Sequence, residues 1–279
     1  MLTAMTTAIT ENKTESKWVF DRRWRQRALI AAIAWFLVCV FYGAPASLFD
    51  SLLRKFVPQL QLQNVSGSFW NGNAAQSFWV QGNQVIALGS FEWHLQPWSL
   101  LWLHPSASIA TNYGEQFIDA RLRISPLGKL TLTKTSASLP ASLVSNWAPV
   151  GARGQIALKL ERVELSRGQS RTQIHALQGT MYWQQAQWQW NSHWLALGDY
   201  RCELTVPAAQ QMRCALQGQG AFALDGVVDV NTQDRHWALQ MQVKMDPSLP
   251  EDFRQGVQVL FAGQPDAQGK YSVKRDGRW

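Results

Sequence analysis

A chain of 279 residues is long enough for one large domain or two small ones. Hydrophobic residues make up 46% of it, which is too few for several membrane spans, and charged residues make up only 16%. The net charge is +7, but no long basic run follows the N-terminal segment, so the charge pattern does not support a nucleic-acid-binding protein.

The N-terminal region combines a basic segment with an apolar one. Residues 1–27 carry six Lys or Arg against three Asp or Glu, a net charge of +3. Residues 28–42 (ALIAAIAWFLVCVFY) contain no charge, and residues 43–49 extend the apolar stretch to the about 20 residues that cross a bilayer. Because Lys and Arg stay on the cytoplasmic side, we expect residues 1–27 to be cytoplasmic, 28–49 to form a single transmembrane anchor, and 50–279 to be exported.

Two alternatives remain for this segment. A cleaved signal peptide would use residues 28–42 as its apolar core and Ala44-Pro45-Ala46 as its small-residue site. A basic leader that runs to residue 27 is long for a signal peptide, which favours a retained anchor, and both interpretations export the rest of the chain. The membrane helix could also continue over residues 47–56, where Pro58 would end it.

The exported region consists of short runs in which polar and apolar residues alternate, punctuated by Gly, Asn and Pro. Period-two alternation leaves one face apolar and the other polar, as in antiparallel sheets. Fifteen tryptophans suit such faces, because an indole joins a large apolar area to one N–H donor. We therefore predict a mainly β domain, a twisted antiparallel sheet, with strands over residues 75–81, 90–96, 107–113, 116–124, 129–139, 155–165, 180–185, 186–191, 200–206, 221–230 and 237–245.

Three short helices interrupt this alternation. The sequence predicts them over residues 97–103, 140–147 and 250–261, each beginning at a proline. Apolar residues of the third segment fall on one helical face, so we expect that helix to pack on the sheet.

The sequence contains no recognisable catalytic constellation. Its five histidines are not spaced as metal ligands, and neither HExxH nor GxSxG occurs. A hydrolase of glycans or the cell wall would need paired carboxylates, and nothing in the sequence pairs Glu92, Asp119 and Glu164. We therefore expect a protein that is not an enzyme, with no catalytic residues, no metal site and no cofactor.

Two of the three cysteines are candidates for a disulfide. Cys39 lies in the apolar segment, whereas Cys202 and Cys214 lie in the exported region, where thiols oxidise. A hairpin that pairs residue 206 with residue 210 brings Cys202 directly opposite Cys214, which suits disulfide geometry. Two free buried thiols are the alternative.

Four blocks of the sequence, in order along the chain, resemble the type II secretion system protein N family, also called general secretion pathway protein N. They are residues 61–76 (QLQNVSGSFWNGNAAQ), 88–101 (LGSFEWHLQPWSLL), 198–206 (GDYRCELTV) and 261–279 (FAGQPDAQGKYSVKRDGRW). The short basic N-terminus followed by one span is also similar to that family.

The resemblance implies an inner-membrane accessory component of the machine that moves folded periplasmic proteins across the outer membrane. It implies that residues 50–279 are periplasmic and that the partners are other type II secretion components, in the inner-membrane platform or the outer-membrane secretin. The alternative is an AsmA-like envelope protein that binds or moves lipid, because a long twisted sheet with one apolar face can form a groove. The sequence leaves the choice open.

Overall fold

The computed structural model describes residues 22–82, 84–146, 151–167, 172–261 and 264–279. The chain divides into two units, Met1–Gly43 and Ala44–Trp279. Most of the predicted cytoplasmic segment and Trp147 of the second predicted helix therefore lie outside the described residues.

The first unit contributes one helix, α1, which spans Arg22–Tyr42 and is 21 residues long. It begins in the arginine cluster and covers the uncharged run, in which Leu29, Ile30, Ile33, Trp35, Phe36, Val40 and Tyr42 are exposed. Among the residues that the structure describes, no helix has both the length and the hydropathy that a bilayer span requires.

The predicted anchor segment is divided by a break in the helix. The amide of Gly43 donates to the carbonyl oxygen of Cys39 over 2.8 Å at the end of α1, and a second helix, α2, spans Ala46–Phe56. Pro45 stands directly before α2, where its missing N–H donor costs nothing, whereas inside a helix its ring would clash with the preceding turn. The expectation that the membrane helix continues over residues 47–56 is therefore wrong.

The second unit is built on one antiparallel sheet of thirteen strands that follow one another in chain order. The strands are β1 Leu60–Gly67, β2 Asn71–Gln81, β3 Gln84–Leu95, β4 Ser106–Tyr113, β5 Gln116–Ile124, β6 Lys129–Pro140, β7 Ala152–Arg167, β8 Thr172–Trp190, β9 His193–Ala208, β10 Gln211–Gln219, β11 Phe222–Asn231, β12 His236–Met245 and β13 Lys270–Arg278. Two further helices, α3 Pro97–Leu101 and α4 Glu251–Phe261, and a 3-10 helix over Ala141–Asn146 lie between strands.

The predicted mainly β class, one antiparallel sheet with a few short helices, is confirmed. The two runs predicted as separate strands over residues 180–185 and 186–191 form a single strand, β8. Its pairing with β9 shifts register between Trp183 and Ala186, and Gln185 there has a positive φ of 49°. A β-bulge therefore continues the strand through a break in the polar–apolar alternation, and in the sequence that break resembles the end of a strand.

The strand register sorts the side chains into two faces, because directly paired residues point to the same side of a sheet. One continuous row of paired residues crosses all thirteen strands, and we call it the apolar row: Val65, Ala74, Phe91, Thr111, Ile118, Ala137, Leu158, Met181, Cys202, Leu216, Gly226, Met241 and Val273. The adjacent row, on the polar face, is Ser66, Asn73, Glu92, Ala110, Asp119, Ser136, Lys159, Thr180, Glu203, Ala215, Val227, Gln240 and Lys274.

The buried core lies on the apolar face, in two separate clusters. Helix α2 covers the first, where Ala46 packs with Ala74, Phe91 and Trp93 of β2 and β3. Helix α4 covers the second, over β8 to β12. Since both clusters contain or adjoin members of the apolar row, the two helices cover the same face of the sheet at different places along the strand order.

Candidate functional site

Helix α4 forms one wall of the candidate site. Phe253 and Val257 face the sheet and are buried. The Phe253 ring meets the Trp190 ring edge to face, with centroids 5.3 Å apart, and lies 6.2 Å from the Phe222 ring. Gly256 faces the same indole, where an added Cβ would lie 3.2 Å from Cη2 of Trp190. The glycine thus lets the helix approach the aromatic surface closely, as the predicted packing of this helix on the sheet requires.

Helix and sheet do not fill the space between them. A cavity of about 450 Å³ remains under α4, within the size range of small-molecule sites. Its walls are almost entirely aromatic and aliphatic side chains, among them Met181, Trp183, Trp190, Leu197, Leu216, Leu224, Met241, Phe253, Val257 and Phe261. Three of these, Met181, Leu216 and Met241, belong to the apolar row, so the cavity floor is part of the continuous apolar face.

Three polar hydrogens of the aromatic walls, on Trp183, Trp190 and Tyr200, have protein acceptors. Nε1 of Trp183 donates to the Arg153 carbonyl oxygen over 3.0 Å, and Nε1 of Trp190 donates to the Asp252 carboxylate over 2.9 Å. The Tyr200 hydroxyl donates to the carbonyl oxygen of Phe222 over 2.8 Å. These side chains therefore expose only their apolar atoms to the cavity. A ligand can contact them without having to supply a hydrogen-bond acceptor.

The chemistry of this cavity is suited to binding. Burial raises the pKa of the Tyr200 phenol, which keeps it neutral and unavailable as a base. Among the described residues around the cavity, Cys202 is in a disulfide, and Arg201 ion-pairs with Glu203. The apolar lining suits a long hydrocarbon group as ligand.

The apolar face continues between the two helices. Ile118, Ala137 and Leu158 of the apolar row, on β5 to β7, are half-buried. At the α2 end, the Phe49 ring stacks on Trp93 with centroids 4.4 Å apart, and Nε1 of Trp93 donates to the Phe69 carbonyl oxygen over 3.0 Å. The candidate site is therefore the cavity under α4 together with the apolar strip that leads from it toward α2.

The disulfide candidates meet in the structure, but in a different register from the predicted one. The sulfur atoms of Cys202 and Cys214 are bonded, and their Cα atoms lie 5.6 Å apart. Cys202 pairs with Leu216, and Cys214 with Leu204, so the predicted direct opposition is wrong. The cause is the position of the turn: Ala208 pairs with Gln211, so the turn is formed by residues 209–210. Beyond the irregularity between Gln211 and Arg213, each partner lies two residues from the predicted one, which makes the cysteines diagonal neighbours.

The three carboxylates considered for glycan hydrolysis lie on the polar face or at its edge. Glu92 and Asp119 flank Ala110 in the same row, two strand spacings or about 10 Å apart, and both are exposed. Glu164, on β7, is buried beside Lys129 and Arg162, whose N–H groups lower its pKa. The fold thus aligns two carboxylates that the sequence does not pair, and it places them on open surface instead of in a cleft.

The histidines are placed separately along the sheet. Nε2 of His175 lies 2.6 Å from the Ser166 hydroxyl, and Nε2 of His236 lies 3.7 Å from the Asp276 carboxylate. Within the described ranges, no three His, Cys, Asp or Glu side chains are grouped as metal ligands.

The aromatic residues of the cavity are the functional candidates that sequence reasoning missed. Two sequence patterns contribute walls of this cavity: the alternating tryptophans of β8 and the apolar side of residues 250–261. They are about 60 residues apart, as the 62-residue separation of Trp190 and Asp252 illustrates, and only the folded sheet shows that they enclose one space.

Comparison with known proteins places this architecture in a family. The family described as "Type II secretion system (T2SS), protein N" matches residues 58–274. The chain is 26% identical over 265 residues to a "Type II secretion system protein N" of Aeromonas hydrophila, covering 91% of this chain and 99% of the relative. A protein of the same description from Vibrio cholerae is 26% identical over 232 residues, covering 78% and 85%.

A third relative, from Aeromonas salmonicida, is 40% identical over 45 residues, which are 16% of this chain and 92% of the relative. No solved structure matches the chain significantly. The family match begins just before β1 and ends within β13, so it covers twelve strands in full and part of the thirteenth rather than one motif. The protein belongs to the type II secretion system protein N family.

Proposed function

We propose that this protein is an accessory component of the type II secretion system, held in the inner membrane by one helix, with its sheet in the periplasm. The observation that carries the proposal is the family match over residues 58–274, because it extends from β1 into β13 and so includes nearly all of the sheet from which a partner surface could be built. The role is assembly or support of export, and no step of it requires catalysis by this chain.

Three features support the proposed topology. The uncharged run 28–42 follows four arginines, and Lys and Arg remain on the cytoplasmic side of membrane proteins. Leu29 and Ile30 of α1 are 62% and 66% exposed and Trp35 is 71% exposed, which suits contact with lipid. The disulfide of the second unit suits an oxidising compartment such as the periplasm. The break at Pro45 favours α1 as the anchor, with α2 belonging to the sheet.

The polar face is the proposed surface for other secretion components, in the inner-membrane platform or the secretin. A photo-crosslinking amino acid at Gln217, exposed on that face, is the direct test in cells. We expect crosslinks to type II secretion proteins, and loss of exoprotein secretion when the gene is deleted. Unchanged secretion in the deletion strain, together with crosslinks to no secretion component, would contradict the proposal.

A second candidate function is the holding of a lipid acyl chain, favoured by the apolar cavity of about 450 Å³ under α4. Substituting Leu216→Trp would fill that cavity from the apolar row, whereas Gln217→Trp adds the same ring on the polar face. We expect lipid to copurify with the wild type and with Gln217→Trp, in amounts measured by mass spectrometry of extracted protein.

We expect Leu216→Trp to fold with the wild-type circular dichroism spectrum and to carry several-fold less lipid. Equal lipid in the two Trp variants would count against the cavity as the site. Secretion measured in the same strains separates the two functions. A folded Leu216→Trp protein that lacks lipid and still supports secretion would show that lipid binding is not needed for export.

A further inference from the structure

The end of the sheet at which β3 joins β4 carries an unusual concentration of exposed apolar side chains. Trp98 is 68% exposed, Trp102 78% and Leu103 67%, all on or just after α3. The neighbouring turn between β5 and β6 adds Leu127, which is 94% exposed. We call these four residues the tryptophan tip. Soluble surfaces rarely group large apolar side chains in this way unless something covers them.

The two connections of the tip are adjacent and held in place by hydrogen bonds. Ser106 opens β4 and pairs with Arg123 near the end of β5, and the Ile124 amide donates to the Pro105 carbonyl oxygen over 2.9 Å. Within the α3 connection, the Ser106 amide donates to Oγ of Ser99 over 3.0 Å, and the Ser106 hydroxyl donates to Oε1 of Gln96 over 2.8 Å. These polar groups therefore hydrogen-bond to each other within the loop, whereas its large apolar side chains are exposed.

The polypeptide enters the sheet unit at this same end. The Phe69 amide, in the connection between β1 and β2, donates to the Ala44 carbonyl oxygen over 2.8 Å, and Pro45 forms a bridge with Ser68. The Leu95 amide at the end of β3 donates to the Trp70 carbonyl oxygen over 2.6 Å, which joins this connection to the one that carries α3. The entry point, the β1–β2 connection and the tip therefore lie side by side along one end of the sheet.

The three connections around the tip are free of acidic residues, and one basic residue lies beside them. Residues 68–70, 96–105 and 124–128 include no Asp or Glu, whereas Arg123 beside the tip is exposed. Tryptophan is the side chain most typical of the lipid headgroup region, because its ring is apolar and its N–H seeks polar groups. A basic residue beside such rings complements an anionic lipid surface.

From these observations we propose that the tryptophan tip lies in the headgroup region of the bilayer that holds α1, so that the sheet stands on the membrane by this end. The inference rests on the proposed anchoring by α1, since only Gly43 and Ala44 link that helix to Pro45. Its occupant is a lipid surface containing anionic lipid. It gives the protein a second membrane contact.

The test uses the full-length chain with Cys39→Ala, reconstituted into vesicles of phosphatidylethanolamine and phosphatidylglycerol. A single fluorescent label is attached through Leu127→Cys at the tip or, as the matched control, through Glu115→Cys in the turn between β4 and β5 at the opposite end of the strands. Both positions are exposed, so neither substitution should disturb folding. Flotation of the vesicles reports anchoring, and quenching reports the surroundings of the label.

We expect both labelled proteins to float, and the label at position 127 to be several-fold less accessible than that at 115 to a quencher dissolved in water. Quenchers attached to lipid headgroups should act on position 127 and not on 115. Substituting Trp98→Ser and Trp102→Ser together should return position 127 to the accessibility of the control.

Three results would overturn the inference, and they are distinguishable. If the proteins float but both labels are equally open to water, the tip is free and anchoring by α1 stands. If position 127 is protected from water yet unaffected by lipid-attached quenchers, a protein surface covers the tip instead of lipid. If neither protein floats, the proposed anchoring fails and the tip inference fails with it.

Discussion

The indole Nε1 of Trp190, near the end of β8, donates a hydrogen bond to Oδ2 of Asp252 in the first turn of α4, over 2.9 Å. The Asn191 side-chain amide donates to the same oxygen over 2.8 Å. One carboxylate thus ties the helix that covers the apolar cavity to the strand that forms its floor. Because Asp252 also lies at a helix N-terminus, the helix dipole favours its negative charge.

We predict that Asp252→Ala loosens α4 while leaving the sheet intact. The expected result is several-fold faster hydrogen exchange of the α4 amides, with unchanged exchange in β4 to β6, because the variant removes the tie to Trp190 and not the core of the sheet. Glu251→Ala is the matched control. It removes a neighbouring carboxylate that pairs with Arg254 inside the helix. Equal acceleration in both variants would assign the effect to the dipole alone.

The Trp190 hydrogen bond also predicts a pH dependence. It is the largest cause that lowers the pKa of Asp252 below its ordinary value of about 3.9. A carboxylate with a lowered folded pKa stabilises the folded state above its unfolded pKa and loses that contribution as pH falls through the folded value. The exchange difference between wild type and Asp252→Ala should therefore be constant above about pH 4 and vanish in stronger acid.

Phe253→Ala should be among the costly single substitutions in α4. The ring is buried between Trp190 and Phe222, and removing it enlarges a cavity that already exists, so we expect a loss of about 3 kcal/mol in the free energy of unfolding. Phe56→Ala, in α2, is the control. Its ring is 73% exposed, and we expect a change within about 0.5 kcal/mol. Urea denaturation measures both, and similar losses would contradict the assigned packing.

The disulfide predicts a specific pattern of thiol labelling. Alkylation of the denatured, unreduced protein should modify only Cys39, and reduction should expose Cys202 and Cys214 as well, as mass spectrometry can count. Replacing both by Ser should lower the free energy of unfolding by about 3 kcal/mol, since the unfolded chain loses a closed loop of this size. Three alkylated cysteines before reduction, in protein taken from the cell envelope, would reject the bridge.

Glu164 should stabilise the fold through its two basic partners on neighbouring positions of the polar face. The carboxylate is buried while Lys129 and Arg162 remain more exposed, so Glu164→Gln should cost about 1–2 kcal/mol, less than a fully buried ion pair. Glu92→Gln, at an exposed position of the same face, should change stability little.

The Glu164 effect should also depend on pH. Hydrogen bonds from Lys129 and Arg162 lower its pKa, so its contribution is complete above the unfolded value of about 4.3 and is lost as pH falls through the lower folded value. The difference in unfolding free energy between wild type and Glu164→Gln should therefore shrink below about pH 4. A difference that grows in acid would contradict the ion-pair assignment.

Local structure was largely predictable from the sequence, because strands and short helices follow patterns that neighbouring residues carry. The strand predicted over residues 116–124 is β5, Gln116–Ile124, and the helix predicted over 250–261 is α4, Glu251–Phe261. The strands β1 and β13 were not predicted. Each has only two buried apolar residues in alternation, Leu60 and Leu62 in β1 and Tyr271 and Val273 in β13. Their pairing with β2 and β12 decides their conformation.

Register was not predictable in the same way. Turn geometry and bulges set it, and a turn at residues 209–210 instead of the predicted 207–209 places Cys202 opposite Leu216 instead of Cys214. Strand register also places Glu92 of β3 and Asp119 of β5 in one row on the same face of the sheet, although they lie 27 positions apart in sequence.

The amino-acid sequence by itself determined the class of the fold, the strand-forming segments, the basic and apolar N-terminus and the family to which the chain belongs. Each of these depends on residue types at fixed local spacings, which the chain carries before it folds. Only the tertiary structure decided that one apolar row crosses thirteen strands, that α4 leaves a cavity above it, and that Trp98 and Leu127 share one end of the sheet. Those relations depend on which residues become neighbours across hydrogen-bonded strands, and that choice is made by the packing of the whole sheet.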